Sequence, residues 1–181
     1  MERDLSVGNP LTATSLVAWA TDQRDMLPHL ETLTRYAGEA QSIVEFGTRG
    51  GVSTWAFLDG LPADGHMWSM DIEDCVVPPR VSSDPRWTFI QGDDMDPLAQ
   101  RQLPGDADLV FIDTSHEYVH TGKELLLALT FGPSRIICHD AMWVGVTQAV
   151  AEFCSAYGWF ATIDIAGDSQ GDFSLATLEP I

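Results

Sequence analysis

In this chain of 181 residues, acids and histidines recur at one kind of place, directly after a short apolar or β-branched run. Glu45 follows Ile43-Val44, Asp71 follows His66 to Met70, and Gly92-Asp93-Asp94 follows Trp87 to Gln91. Asp113 closes Asp108 to Ile112, and His139-Asp140 closes the run from Arg135 to Cys138. If each run is a strand of a parallel sheet, these side chains gather beyond its carboxyl edge, where such sheets hold ligands. A single strand-end Asp is ordinarily a helix cap or a turn former. Five successive ends carrying an acid are much harder to assign to capping. Carboxylates so placed can receive hydroxyl groups or hold a cation, and imidazoles can exchange protons near neutrality.

The first of these ends is the most specific. Glu45-Phe46-Gly47-Thr48-Arg49-Gly50-Gly51-Val52-Ser53-Thr54 passes from a strand through a glycine-rich turn into a helix. Glycines let backbone approach a ligand, and free N–H groups at a helix start face it. The spacing is Glu-x-Gly-x-x-x-Gly and not Gly-x-Gly-x-x-Gly, so Glu45 stands where a dinucleotide site brings a glycine to a pyrophosphate. A carboxylate there suits a ligand of cationic character. The cofactor-side candidates are therefore Glu45, Gly47, Thr48, Gly51 and Ser53, with Asp71 and Ile72 about twenty residues on, the distance at which an acid receives ribose hydroxyls. Gly92 and Asp93 can approach an adenine edge, and Asp113 completes the set. Asp93-Asp94 can equally cap a short helix running toward Gln100.

The elements that must position these residues alternate between strand-like and helix-like patterns. Leu11 to Tyr36 reads as helical, interrupted near Pro28. Strands are expected at Ser42–Phe46, His66–Met70, Trp87–Gln91, Asp108–Ile112 and Arg135–Cys138, with helices over Gly50–Leu58, about Glu117–Leu129, and Val144–Tyr157. Trp159–Ile165 and Phe173–Leu178 are joined by the turn-rich Gly167-Asp168-Ser169-Gln170-Gly171 and predict an antiparallel hairpin. The expected fold is α/β: a Rossmann-like, doubly wound, mostly parallel seven-stranded sheet in three α/β/α layers, closed by that hairpin. One domain is expected over 1–181, with an N-terminal helical region over 1–40 and the cofactor-binding core over 41–181.

Composition bounds the ligand. Hydrophobic content of 45% and charged content of 20% are ordinary for a globular protein. The net charge of -18 is spread along the chain, repels phosphate backbones and anionic membranes, and leaves a neutral or cationic small molecule as partner. The same charge serves solubility or a salt-adapted host. Three cysteines without a Cys-x-x-Cys pair fit a reducing, cytoplasmic compartment. Met1 to Leu5 lacks a signal-peptide pattern, and no apolar run reaches the length of a membrane span.

Taken in order, these motifs resemble the class I S-adenosylmethionine-dependent methyltransferases. Glu45-x-Gly47-x-x-x-Gly51 looks like their first motif, Asp71 their ribose acid, and Gly92-Asp93 their adenine-side turn. Asp108-Leu-Val-Phe-Ile-Asp113-Thr-Ser-His116-Glu-Tyr118 and Ile136-Ile-Cys-His139-Asp140 resemble the fourth and fifth strands of a narrower group, the small-molecule methyltransferases similar to the catechol and macrolide O-methyltransferases. The resemblance covers about Ser42 to Phe153. It implies methyl transfer from S-adenosylmethionine to a hydroxyl of a small molecule, with His116 and His139 as the catalytic candidates. His116 stands where related enzymes carry their proton acceptor, and a histidine there can equally cap the next helix. In metal-dependent members a divalent cation (magnesium or manganese) falls to Asp113, His139 and Asp140. His139 departs from the acid or amide usual there; an imidazole suits manganese, iron or zinc better than magnesium, and it can equally be a core histidine. Met142 and Trp143 can wall an acceptor pocket, Trp55 packs the first helix, and a homodimer partner can complete the acceptor site.

Three other readings compete. A non-catalytic protein can keep the pocket for S-adenosylmethionine or S-adenosylhomocysteine and act through a partner. His116-Glu117-Tyr118-Val119-His120 fits the His-Glu-x-x-His zinc peptidase signature, which requires both rings on one face of a helix. An NAD-type dehydrogenase is disfavoured by the glycine spacing and by Glu45.

Overall fold

Side chains of a strand point alternately to opposite faces, and here alternate residues enter two different cores. The computed structural model describes residues 24–168 and 171–181, without the side chains of 167, 168, 171 and 172. The expected helix from Leu11 therefore lies outside the described residues up to residue 23, as do Ser169 and Gln170 of the turn. Val44, Phe46, Val110, Ile112, Ile136 and Cys138 enter one core. Ile43, Leu109, Phe111 and Ile137, their sequence neighbours, enter the other. Strands buried on both faces need helices on both, which gives three layers.

A 3-10 turn at Leu27–His29 leads into α1 (Leu30–Ala37), then β1 (Ser42–Phe46), α2 (Val52–Gly60), β2 (His66–Asp71), α3 (Pro79–Ser82), β3 (Trp87–Gln91), α4 (Pro97–Gln100), β4 (Leu109–Ile112), α5 (Tyr118–Thr130), β5 (Arg135–His139), α6 (Val144–Tyr157), β6 (Trp159–Asp168) and β7 (Gly171–Pro180). The seven strands lie in the order β3-β2-β1-β4-β5-β7-β6. The first five run parallel, and β7 pairs antiparallel with both β5 and β6. Helices α1 and α2 cover one face through Leu33, Ala37, Ala56 and Phe57. Helices α5 and α6 cover the other through Leu125, Ala128, Val150 and Phe153. Burying each large side chain of this kind stabilises by about 1.5–3 kcal/mol.

The class of sheet, the alternation of elements and the closing hairpin are those expected from the sequence. Several strand ends shift by a few residues, with β6 and β7 running to Asp168 and from Gly171 into the expected turn, and three further differences have physical reasons. Helix α2 starts at Val52 and not Gly50, because Gly51 has φ +75°, outside the helical region. The proline-rich loop before β3 contains the single turn α3, with Pro79 at its first position, where a missing N–H costs nothing. Asp96, and not Asp93 or Asp94, caps the short helix α4 by accepting from the Leu98 N–H. Among the described residues no helix is long and apolar enough to cross a membrane.

The chain winds from β1 out to β3, then returns to the other side of β1 with β4. The order therefore reverses between β1 and β4, and a crevice opens at such a switch point.

Candidate active site

A cavity of about 800 Å³ opens at the carboxyl ends of β1 to β4. Its floor is the glycine turn. Gly47 has φ +88°, and a Cβ there would lie 2.0 Å from the Asp113 carbonyl oxygen, so the turn after β1 rests directly on the end of β4. No other residue type fits both the angle and the contact. Asp71, at the tip of β2, fastens the turn from the side. Its Oδ2 accepts the Thr48 N–H at 2.8 Å and the Arg49 N–H at 2.9 Å, and its Oδ1 accepts the Glu73 N–H at 3.0 Å. Burial raises its carboxyl, but the N–H donations from Arg49, Glu73 and Thr48 outweigh that and hold it below its ordinary value.

Glu45 has a different place from the one expected. It is fully buried, on the α2 side of the sheet, and its carboxylate accepts hydroxyl hydrogen bonds from Ser53 at 2.6 Å, Thr54 at 2.7 Å and Ser69 at 2.6 Å. Ser69 is held in turn by the Trp87 indole at 2.8 Å. Burial pushes Glu45 up to about 7, against the pull of these hydroxyls. The acid thus ties β1, β2 and the start of α2 together beneath the turn. Gly47, Asp71, Ile72, Gly92, Asp93 and Asp113 line the cavity; Glu45, Thr48, Gly51 and Ser53 stand outside its lining.

The ends of β4 and β5 bring the remaining candidates together. Asp113, His116, His139 and Asp140 each offer an atom within 4.8 Å of the others. His116 Nε2 lies 3.3 Å from Asp113 Oδ1 and 3.3 Å from Asp140 Oδ2. His139 Nδ1 lies 3.2 Å from Asp113 Oδ1 and 3.6 Å from Asp140 Oδ2. Burial works against ionisation of both partners here. Even so, the hydrogen bonds from His116 and His139 pull Asp113 well below its ordinary value. Burial lowers His139, but the Asp113 hydrogen bond and charge, then Asp140, raise it to about 9. Asp140 is raised by its burial, opposed by the charges of His139 and His116.

Backbone strain concentrates at the same place. Among the described residues the non-glycine positions with left-handed φ are Arg49 (+50°), His116 (+57°) and Asp140 (+51°), one in the glycine turn and two in this cluster. Each such angle costs on the order of 1–3 kcal/mol and persists only where the surroundings impose it. For His116 the surroundings are α6: a Cβ on Gly145 would lie 2.5 Å from the His116 carbonyl oxygen. The strained backbone turns the His116 ring toward the two acids and away from the start of α5, whose N-cap Glu117 makes no side-chain cap. Trp143 packs on the ring, centroids 5.4 Å apart, and remains 60% exposed beside exposed Met142.

The peptidase-like match dissolves in this geometry. His116 precedes α5 whereas His120 lies within it, and their rings join separate groups, His120 with Asp94 and Glu124. That second group was missed by sequence reasoning. Glu124 shares the buried face of α5 with Thr121, Leu125 and Ala128, and an acid on an apolar helical stripe is a signal the pattern did contain. Burial and the adjacent Asp94 carboxyl push Glu124 up to about 9. His29 was missed as well: it is fully buried, 5.9 Å from the His139 ring in an edge-on contact.

The model of the methyltransferase domain family matches residues 44–141, a stretch from the middle of β1 to just beyond Asp140. In fold the chain is similar to the O-methyltransferase from Bacillus cereus in complex with SAH, at 18% identity and TM-score 0.71, over 98% of this chain and 94% of that one. It is similar to a putative O-methyltransferase from Klebsiella pneumoniae at 20% identity and TM-score 0.71, over 97% and 92%. A third similar structure is the O-methyltransferase TomG from Streptomyces achromogenes, involved in tomaymycin synthesis and in complex with SAM, at 17% identity and TM-score 0.70, over 97% and 92%. No curated protein matches the sequence.

Proposed function

The chain belongs to the methyltransferase domain family, and from that premise we propose that it moves a methyl group from S-adenosylmethionine to a hydroxyl of a small molecule. The observation that carries this reading is the junction of Gly47 with Asp113, which sets a cofactor-sized cavity against a cluster able to take a proton. S-adenosylmethionine, when bound, supplies an electrophilic methyl group and a neutral thioether as leaving group.

The protein's part is placement and proton transfer. The glycine turn admits the ligand close to backbone, and Asp71, lining the cavity, offers its remaining lone pairs to ribose hydroxyls. The acceptor hydroxyl gives its proton to the lone pair at His116 Nδ1, since the acids already hold the N–H at Nε2, as the new C–O bond forms and the S–C bond breaks. Asp113 and Asp140, each 3.3 Å from Nε2, stabilise the imidazolium that results. Met142 and Trp143 supply an apolar wall for the acceptor, and the acidic surface favours one that is neutral or cationic.

Two carboxylates and His139 Nδ1, so closely grouped, also fit a divalent cation, with manganese, iron or zinc better suited than magnesium to the imidazole. Held by Asp113, His139 and Asp140, it would lower the pKa of a coordinated acceptor hydroxyl.

Calorimetry with S-adenosylmethionine, repeated with magnesium, manganese and a chelator, tests the reading. Expected is saturable one-to-one binding, with turnover of a hydroxylated acceptor; absence of binding under every condition would overturn it. Binding without turnover of any acceptor would favour a cofactor-binding protein that acts through a partner.

A further inference from the structure

On the wall of the same cavity, away from the His116 cluster, Asp94 and Glu124 are brought together with His120. Asp94 comes from the loop after β3, and His120 and Glu124 stand four residues apart on α5, on one helical face. His120 Nε2 lies 3.3 Å from Asp94 Oδ1 and 3.7 Å from Glu124 Oε1. Asp94 is 7% exposed and Glu124 is fully buried. Thr114 donates its hydroxyl to Glu124 Oε1 at 2.7 Å. The second oxygens, Asp94 Oδ2 and Glu124 Oε2, are buried with no hydrogen-bond partner.

Buried carboxylate oxygens are normally paired, because an unpaired one has lost its hydration for nothing. The cluster at His116 balances two acids with two imidazoles. Here two acids face one imidazole, 3.3 and 3.7 Å away, and without an ion the remaining pairing is a proton shared between the two carboxyls. We propose that Asp94, His120 and Glu124 form a second cation site, which takes a first-row transition dication such as zinc or manganese.

Three observations support the choice of ion. A metal bonded at about 2.1 Å to ligands at tetrahedral or octahedral angles sets neighbouring ligand atoms roughly 3.0–3.4 Å apart, and the three ligand atoms here already lie within 4.8 Å of one another. One imidazole with two carboxylates matches manganese, iron or zinc, whereas magnesium and calcium prefer oxygen alone. A dication neutralises the two acids and gives the orphaned oxygens a partner. Entry is open, since Asp94, Thr114 and His120 all line the cavity. The bound ion would fasten the loop after β3 to α5, closing the rim opposite the glycine turn. This site does not depend on the methyl-transfer reading.

The test is a zinc titration, repeated with manganese, of chelator-treated full-length protein carrying Asp113→Asn and Asp140→Asn. These substitutions disable the first cluster. One equivalent of zinc is expected to bind, with a rise in melting temperature. Adding His120→Ala, at a partly exposed position, is expected to weaken binding at least a hundredfold and abolish that rise. Glu124→Gln is expected to do the same, and His120→Gln serves as the variant closest in volume should either fail to fold. The proposal is overturned if the double variant binds neither metal, which leaves a proton shared by the two carboxyls as the pairing. It is overturned equally if zinc binding survives His120→Gln and Glu124→Gln, which assigns the binding elsewhere, to the remaining His116 and His139 imidazoles or to surface acids.

Discussion

The rim built by β1 and β2 lines the cavity, and the rim built by β4 and β5 reaches it through Asp113, yet they manage their acids in opposite ways. On the first, Glu45 is satisfied by three hydroxyls and Asp71 by three backbone N–H groups. Neutral dipoles do all the pairing, so the rim is a fixed cradle. On the second, Asp113 and Asp140 are answered by the imidazoles of His116 and His139, and protons can move. The contrast separates what holds a ligand from what reacts with it.

The sharpest way to break the comparison is at the contact that joins the rims. Gly47→Ala puts a Cβ at φ +88° and 2.0 Å from the Asp113 carbonyl oxygen. Left-handed strain plus displacement of a packed strand end is expected to cost roughly 4 kcal/mol or more. A melting scan should show a loss of roughly 8–16 °C, and an unchanged melting temperature would mean the two rims are not mechanically joined.

His116→Ala tests the reactive rim alone. Removing a general base lowers turnover by about 10²–10⁴-fold, and the cradle predicts unchanged calorimetric affinity for S-adenosylmethionine. Full turnover would remove His116 from the mechanism. Loss of cofactor affinity would instead mean that the rims are not separable.

Glu45→Gln tests the cradle from beneath. Burial raises Glu45 from 4.5 to about 7 in the folded state, so the native protein binds this proton more tightly than the unfolded chain. The stability it gives is therefore complete below pH 4.5 and is lost as pH rises through 7. Unfolding free energies of the parent and of Glu45→Gln from denaturant melts, followed from pH 4.5 to 8, should diverge by about 3 kcal/mol in favour of the glutamine at the high end. Parallel curves would show that Glu45 remains ionised throughout.

Much of the cradle's outline is legible in the sequence, and its inner wiring is not. Ser42–Phe46, Trp87–Gln91 and Val144–Tyr157 have the bounds that local pattern predicts, because buried strands and helices carry their own periodicity. The gathering of Asp113, His139 and Asp140 follows from topology, since successive parallel strands end on one edge. Where a strand-end acid sends its lone pairs is another matter. Glu45 and Asp71 lie at the ends of neighbouring strands, yet Glu45 is claimed by Ser53, Thr54 and Ser69 on two other elements. Those partners are set by packing across the sheet, which a linear pattern does not encode. His29 and His139 meet across 110 positions of chain, and Asp94 meets His120 across a helix, a strand and their loops.

The smallest effect belongs to Asp71, and it discriminates best between holding and reacting. Asp71→Asn keeps the size of the side chain while replacing one acceptor oxygen by a donor. That opposes either the paired N–H groups of Thr48 and Arg49 or the ribose hydroxyls expected at the cavity face. A hydrogen bond to a charged acceptor contributes about 1.5–3 kcal/mol, so the dissociation constant for S-adenosylmethionine should rise about 10–100-fold. Because the lost interaction is the same before and during methyl transfer, turnover at saturating cofactor should stay within a few-fold of the parent. Steady-state kinetics with the cofactor varied separate the two terms. A fall in saturated turnover with unchanged KM would place Asp71 on the reacting side and dissolve the distinction between the rims.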